Sequence, residues 1–394
     1  MAASLYLVAG KATDSVTHGF LPAAARLGLD VVLLTDRPAE HADVPPPVRA
    51  VVECDVSDFR DVIDRIDRID RIDGTAARGR PAGIFSNSDF LQAPAALAAA
   101  YFGLPGKDWR AAARAKNKAL ARRHLARLDP VFSADARAVP PDAPYPLVVK
   151  PREGVASEDV FLVRDADELR ARVAEIGARR ADPLVAEEYL PGTLHTLETL
   201  GDGHEVRVLG SFRTDVSPPP HFVEERLEWA PPPPETPQVL AQLEALGAGF
   251  GACHTEFVVH AGRARIIEVN YRLIGDHCDF LLADLLGVPL HEQILRVHLG
   301  ERLAPAVPRP RGHAVAEPVI ADRAGRLTAA PGPVELDDGG VRLAYRPQRT
   351  VGDTIALTRT NRDYLGTVRA IGPDPDGVRA ALARFRAARE WTIA

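Results

Sequence analysis

The most informative pattern of apolar and polar positions runs from Ala252 to His277, ACHTEFVVHAGRARIIEVNYRLIGDH. Two apolar runs, His254 to His260 and Ala264 to Asn270, flank an Ala-Gly-Arg turn, which predicts a β-hairpin with a glycine in its loop. With the loop at Ala261 to Arg263, Glu256 falls opposite Glu268 and His254 opposite Asn270, all on one face, with the carboxylates roughly 5 Å apart. A loop one residue shorter would slip the register and send the two glutamates to opposite faces.

Toward the N-terminus, an apolar run ending at Gly10, a helical stretch from Ser15 to Leu27 and a run from Asp30 to Leu34 give the strand, turn, helix, strand order of a parallel α/β sheet. Asp64 to Asp73 repeats Asp-Arg-Ile, placing isoleucines 63, 66, 69 and 72 on a narrow stripe of a charged surface helix. Gly83 to Ser86 reads as a strand ending at Asn87 to Asp89, and Ala93 to Leu104 as a helix. Residues 108–128 read as one helix with Lys116-Asn117-Lys118 in its middle. Leu147 to Lys150 and Val160 to Val163 predict a hairpin with Lys150 at the base of its loop. Leu184 to Leu190 and Thr196 to Leu200 predict strands. Prolines 218 to 220 and 231 to 234 predict a loop containing Phe222 to Trp229, and Pro237 to Leu246 a helix. Pro305, Pro308 and Pro310 read as a linker, followed by strands at Ala314 to Ile320, Arg342 to Tyr345 and Thr367 to Ile371 and a helix from Asp376 to Glu390. The expected fold class is α/β and α+β: an N-terminal parallel α/β domain over 1–106, a ligand-binding core over 107–300 and a mostly β C-terminal domain over 301–394.

A length of 394 residues fits two or three domains. The net charge of -6 leaves no basic footprint for nucleic acid or an acidic membrane. The apolar runs are short for a bilayer span, and no basic segment precedes the first one, so the expected location is the cytoplasm and the expected partner a small molecule. Cys54, Cys253 and Cys278 lack CxxC spacing, which argues against a disulfide frame or zinc knuckle. No GxGxxG follows the first strand and no GxxxxGK[ST] occurs, so neither a dinucleotide oxidoreductase nor a P-loop protein is indicated. Gly247, Gly249 and Gly251 precede a strand and read as turn chemistry.

Two carboxylates facing each other amid Phe257, Val258, Ile266, Ile267 and Val269 cannot be solvated cheaply, and a divalent cation resolves the conflict. Glu256, Glu268 and the Asn270 amide offer hard oxygens, a set suited to magnesium shared with a substrate phosphate. The alternative is an ordinary hairpin with both glutamates in solvent. Arg272 can reach the same region with a planar fork suited to phosphate or carboxylate. The chain carries 48 Lys plus Arg, yet lysine stands only at 11, 107, 116, 118 and 150. Such sparing use marks lysines as candidates where a compact ammonium is required, with Lys11 and Lys107 reading as ordinary surface residues.

In order along the chain, Lys118, VVKP at 148–151, AEEYLPG at 186–192, HTEF at 254–257 and EVNYR at 268–272 resemble the ATP-grasp superfamily. Within it the chain is similar to carboxylate-amine ligases related to the L-amino-acid ligases, closely over roughly residues 1–300 and loosely beyond. The resemblance implies an ATP-grasp core whose two subdomains close on ATP and Mg2+. It places Lys118 and Lys150 on the phosphates, with Lys116 competing for the first position, and Ser157 in the phosphate loop. Glu187, Glu188, Tyr189 and Leu190 would meet the adenine, with Glu187 reaching the exocyclic amine, and His195 or Glu198 would stand in for the usual ribose acid. Glu256, Glu268 and Asn270 match the metal ligands. The phosphate loop keeps Gly154, Ala156 and Ser157 but adds Glu153, Glu158 and Asp159, which must turn outward to spare the phosphates.

Arg272 matches the arginine beside the transferred phosphate, so Arg272 and Lys150 are the catalytic candidates. Arg272, Gly275, Asp276 and His277 match the acceptor pocket, as does Glu224 of PPHFVEE, where a glutamate receives a substrate ammonium. A histidine expected shortly afterwards is replaced by Leu227, beside Arg226. The implied reaction joins a small-molecule carboxylate and an amine into an amide or peptide bond through an acyl phosphate. No nucleic acid or membrane partner is implied, and a homodimer is left open. The alternatives are an ATP-grasp carboxylase activating bicarbonate and a nucleotide-binding protein without catalysis.

Overall fold

The computed structural model describes residues 3–44, 46–72, 81–305, 309–310 and 312–394. Asp73 of the repeat and Pro308 of the expected linker lie outside them. Strands Val48–Glu53, Asp30–Thr35, Ser4–Val8 and Gly83–Phe85 form a parallel sheet in that spatial order. Its alternate faces bury different cores. Leu5, Leu7, Val31 and Leu33 pack with Val16, Phe20 and Leu21, while Tyr6, Val8, Val32 and Leu34 pack with Val62, Ile66 and Ala98. Ile66 anchors the charged repeat, and Arg68 pairs with Asp64 one turn away at 2.7 Å. The edge strand Val48–Glu53 escaped the sequence reading; Val48 and Val51 pack on one core and Val52 on the other, but none of its residues is fully buried.

A second, nine-stranded antiparallel sheet dominates the molecule. Its order is Arg263–Asn270, Phe250–His260, Thr193–Asp202, Val206–Val216, Glu224–Ala230, His313–Ile320, Tyr364–Gly372, Val341–Pro347 and Val334–Asp338. One correction arises here. The region Phe222 to Trp229 is largely a strand, not a loop, because the prolines bound it without interrupting its ladder with Val206–Val216 and His313–Ile320. The strands beyond residue 300 continue the sheet that carries the hairpin, and helix Pro375–Ala387 packs on them.

A smaller sheet, Ser133–Asp135, Leu184–Glu188, Leu147–Pro151 and Phe161–Val163, stands opposite with helix Ala166–Gly177 behind it. The single helix expected over 108–128 is two, Trp109–Lys116 and Lys118–Leu125. Asn117 breaks it at φ -101 and ψ 104, and its side chain accepts from the Leu120 amide as the cap of the second helix. Lys107 is also not a surface lysine: it is buried, with Nζ donating to Gln92 Oε1 at 2.6 Å and to the Tyr271 carbonyl, and burial pushes its ammonium down to about 7.

Candidate active site

The hairpin turns through only two residues, Ala261 and Gly262, both at positive φ (49° and 74°), with His260 paired to Arg263. Such a loop suits the twist of the flanking strands, and Gly262 adopts its conformation without a Cβ penalty. This is the shorter loop, which in an unbroken ladder would separate the glutamates. They meet nonetheless, because the register shifts between Glu256 and Phe257: Phe257 pairs with Ile266, Glu256 with Glu268 and His254 with Asn270. Ile267 is the extra residue of a β-bulge on the edge strand.

A cavity of ≈ 380 Å³ lies against this face, within the range of small-molecule sites. Lys118 enters from the start of its helix, with Nζ 2.7 Å from Glu268 Oε1. Lys150 enters at the end of its strand, 2.8 Å from Glu187 Oε2, and Arg122 reaches Glu187 Oε1 at 3.2 Å. Burial opposes ionisation of Glu187, but Lys150 and Arg122 outweigh it and hold the carboxyl down to about 2. Asn270 Nδ2 donates to Glu256 Oε1 at 3.3 Å. Among the described residues, no group of three or more His, Cys, Asp or Glu is gathered as a metal cage. The set of two carboxylates and an amide oxygen nevertheless fits magnesium, which takes few protein ligands and completes its shell with phosphate and water.

Of the acids in the loop after Lys150, Glu153 and Asp159 do not line the cavity, while Glu158 lines it and is countered there by Arg362. Glu158 pairs with Arg362 at 2.5 Å, Asp159 with Arg179 at 2.6 Å and Arg180 at 3.2 Å, and Glu153 accepts from Asn117 at 2.7 Å. Along the cavity Asp89 is held by Arg272 at 3.4 Å and Glu188 by Arg265 at 3.0 Å. Glu224 and Asp276 line the same cavity without an ion pair among the described residues. Burial, together with the carboxylates of Glu256 and Asp276, pushes Glu224 up to about 8.

Of the expected site residues, Lys118, Lys150, Ser157, Glu187, Glu188, Tyr189, Leu190, Glu224, Glu256, Glu268, Asn270, Arg272, Gly275 and Asp276 all line this cavity. His195 does not. It pairs with Phe257 and stacks on that ring at 5.7 Å, on the face away from Glu256, and Leu194 lines the cavity instead. His277 likewise turns away, to Asp14 at 3.0 Å. Lys116 goes to Asp89 at 3.8 Å and the Phe90 ring at 3.7 Å, leaving the cavity to Lys118. Glu187 is occupied by two cations, so its carboxylate is bound where an adenine contact was expected.

Sequence reasoning missed Asp89, Arg122 and the pair formed by Glu198 and His254, whose Nδ1 lies 2.7 Å from Glu198 Oε1 and Nε2 3.7 Å from Glu256 Oε1. Burial resists charging His254, but Glu198 and Glu256 prevail and raise it to about 10. A signal for Asp89 existed, since it follows the carboxyl end of a parallel strand, where such sheets carry their sites.

An ATP-grasp domain family matches residues 115–219. An uncharacterized protein of Sinorhizobium fredii is 29% identical over 342 residues, covering 79% of this chain and 68% of its own length. The carbamoyl phosphate synthase large chain of Thermomicrobium roseum is 26% identical over 40% of this chain, which spans 15% of that protein. Among solved structures, the L-amino acid ligase from Bacillus licheniformis superposes with TM-score 0.82 at 20% identity, covering 100% of this chain and 99% of that one. Phosphoribosylglycinamide synthetase from Anaerococcus prevotii gives 0.74 at 14% identity, with full coverage of both chains. The biotin carboxylase domain of Hydrogenobacter thermophilus 2-oxoglutarate carboxylase, solved with MgADP and bicarbonate, gives 0.71 at 18%, covering 100% and 91%.

Proposed function

We propose that this chain, which carries an ATP-grasp domain on an ATP-grasp fold, is an ATP-dependent ligase joining a small carboxylate to an amine. One observation carries the reading. A cavity lined by Lys118, Lys150, Glu256, Glu268, Asn270 and Arg272 also holds two acidic side chains, Glu224 and Asp276, that make no ion pair among the described residues. The first set suits a nucleotide triphosphate with its metal, and the second suits a substrate ammonium.

In this reading Lys118 and Lys150 bind the phosphates from opposite walls, and Tyr189 and Leu190 border the base. Glu256, Glu268 and Asn270 would hold magnesium, which when bound neutralises charge on the phosphates. A substrate carboxylate oxygen attacks the γ-phosphorus as ADP leaves, giving an acyl phosphate. The neutral amine then attacks the acyl carbon and gives up a proton, and inorganic phosphate departs with the former carboxylate oxygen. Arg272, fixed by Asp89 and by the Leu273 carbonyl, is placed to stabilise negative charge on the acyl oxygen. Glu224 binds the ammonium of a substrate, with Gly275 and Asp276 bordering it.

Bicarbonate activation is less well supported, because a small anion gains nothing from Glu224 and Asp276. Phosphate release from Mg·ATP, screened against a matrix of amino acids and small carboxylates with the product identified by mass spectrometry, tests the proposal. Turnover that depends on bicarbonate and on no amine would replace it with carboxylation.

A further inference from the structure

Ala156, Ser157 and Asp159, in the loop over the cavity, adopt positive φ angles of 58°, 54° and 56°. Residues with side chains keep such a backbone only where surrounding contacts impose it. Arg179 and Arg180 hold Asp159, and a turn far along the chain holds Ala156 and Glu158. The Asn361 amide donates to the Ala156 carbonyl at 3.0 Å, and Arg362 Nε to Glu158 Oε1 at 2.5 Å. The turn is itself rigid. Buried Asp363 accepts from the amides of Thr358 at 2.8 Å and Arg359 at 2.6 Å, and Thr360 Oγ1 accepts from the Arg362 amide at 3.1 Å.

The same turn also holds the Glu224 strand. Asn361 Oδ1 accepts from the Glu224 amide at 3.1 Å, and Tyr364 Oη donates to the Glu224 carbonyl at 2.8 Å. One residue, Asn361, therefore holds the phosphate loop with its backbone and the Glu224 strand with its side chain. The loop and that strand are joined a second time where Ser157 Oγ donates to the Phe222 carbonyl at 2.8 Å.

We infer that the turn from Thr358 to Tyr364 is a latch and that Asn361 is a positioning residue coupling the Glu224 end of the cavity to the loop over the phosphates. Resting on the ligase reading for its consequence, the latch seats the loop when the Glu224 strand is in place. Acyl phosphate then forms in a cavity already closed to water, with the ammonium subsite assembled.

Hydrogen exchange on the full chain without nucleotide, and calorimetric titration with Mg·AMP-PNP, test the latch together. Asn361→Ala deletes the bond to Glu224 but keeps the amide that holds Ala156. It should speed exchange at Glu224 and across residues 154–159 and weaken Mg·AMP-PNP about tenfold, the scale of one lost hydrogen bond. Arg362→Glu should release the same loop, and Glu158→Arg combined with Arg362→Glu should restore both protection and affinity, which general damage to the fold would not allow. Unchanged loop exchange in both single variants, or a double reversal no better than Arg362→Glu alone, overturns the inference. A wild-type chain that fails to bind Mg·AMP-PNP counts against the ligase reading, and exchange in the nucleotide-free chain then decides the latch by itself.

Discussion

Lys118 Nζ and Glu268 Oε1 lie 2.7 Å apart, with side chains only 7% and 17% exposed. A proposed phosphate-binding ammonium thus neutralises a proposed metal ligand, and a magnesium ion held by Glu268 would take over that carboxylate and leave Lys118 to the nucleotide. Glu268→Gln keeps the shape and an oxygen for Lys118 but removes the charge proposed to hold the metal. Phosphate release should fall by about 100-fold or more, while the thermal melt stays within a few degrees of wild type. Near-normal turnover would remove Glu268 from the metal site.

The buried trio of Glu187, Lys150 and Arg122 sets a stability prediction. Glu187→Gln leaves two buried cations short of their counter-charge and should cost about 3 kcal/mol in urea unfolding. The pH dependence has a definite sign. Glu187 is depressed from 4.5 to about 2, so its contribution is fully present above pH 4.5 and is lost as pH falls toward 2. The wild type should lose its advantage over Glu187→Gln across that window, and a constant difference would show that the pairing is not electrostatic.

Glu224 predicts the opposite sign. Its carboxyl is raised from 4.5 to about 8, so the folded state loses stability as pH climbs between those values. Glu224→Gln, which does not titrate, should melt higher than wild type at pH 8 to 9 and show little gain near pH 4. If Glu224 receives a substrate ammonium, the same variant should raise KM for the amine-bearing substrate more than it lowers kcat. A higher melting temperature with unchanged KM would leave Glu224 strained but not in contact with substrate.

These residues differ in how openly the chain announces them. Lys118 and Lys150 stand out because the sequence spends arginine almost everywhere else, whereas the facing glutamates are expected from a three-residue loop and owe their meeting to a bulge at Ile267 that alternation does not announce. The break at Asn117 is hidden because a strong helical pattern continues on both sides of it. Strand Glu224–Ala230 is hidden because its prolines flag loops whether they interrupt a strand or merely bound it. Asp89 with Arg272, Arg122 with Glu187 and Asn361 with Ala156 join segments far apart in the chain, and no local period encodes such meetings.

The bulge at Ile267 makes the sharpest test of how the hairpin delivers its glutamates. From the loop to Phe257 the ladder follows the register of a two-residue turn, and from Glu256 onward it is displaced by one residue, with Ile267 taking up the difference. Deleting Ile267 closes the bulge and leaves Glu256 opposite Glu268, because the ladder is then continuous. The edge position tolerates the change, since that strand pairs on one side only. Mg·AMP-PNP affinity should stay within about tenfold of wild type, the lost Ile267 contact accounting for the decrease. Inserting one alanine after Ile267 has the opposite effect, since a further one-residue slip turns Glu268 to the other face and should abolish binding. Calorimetry on the two length variants separates these outcomes. Equal loss of binding in both would mean that the register at Glu256 is set by something other than the bulge.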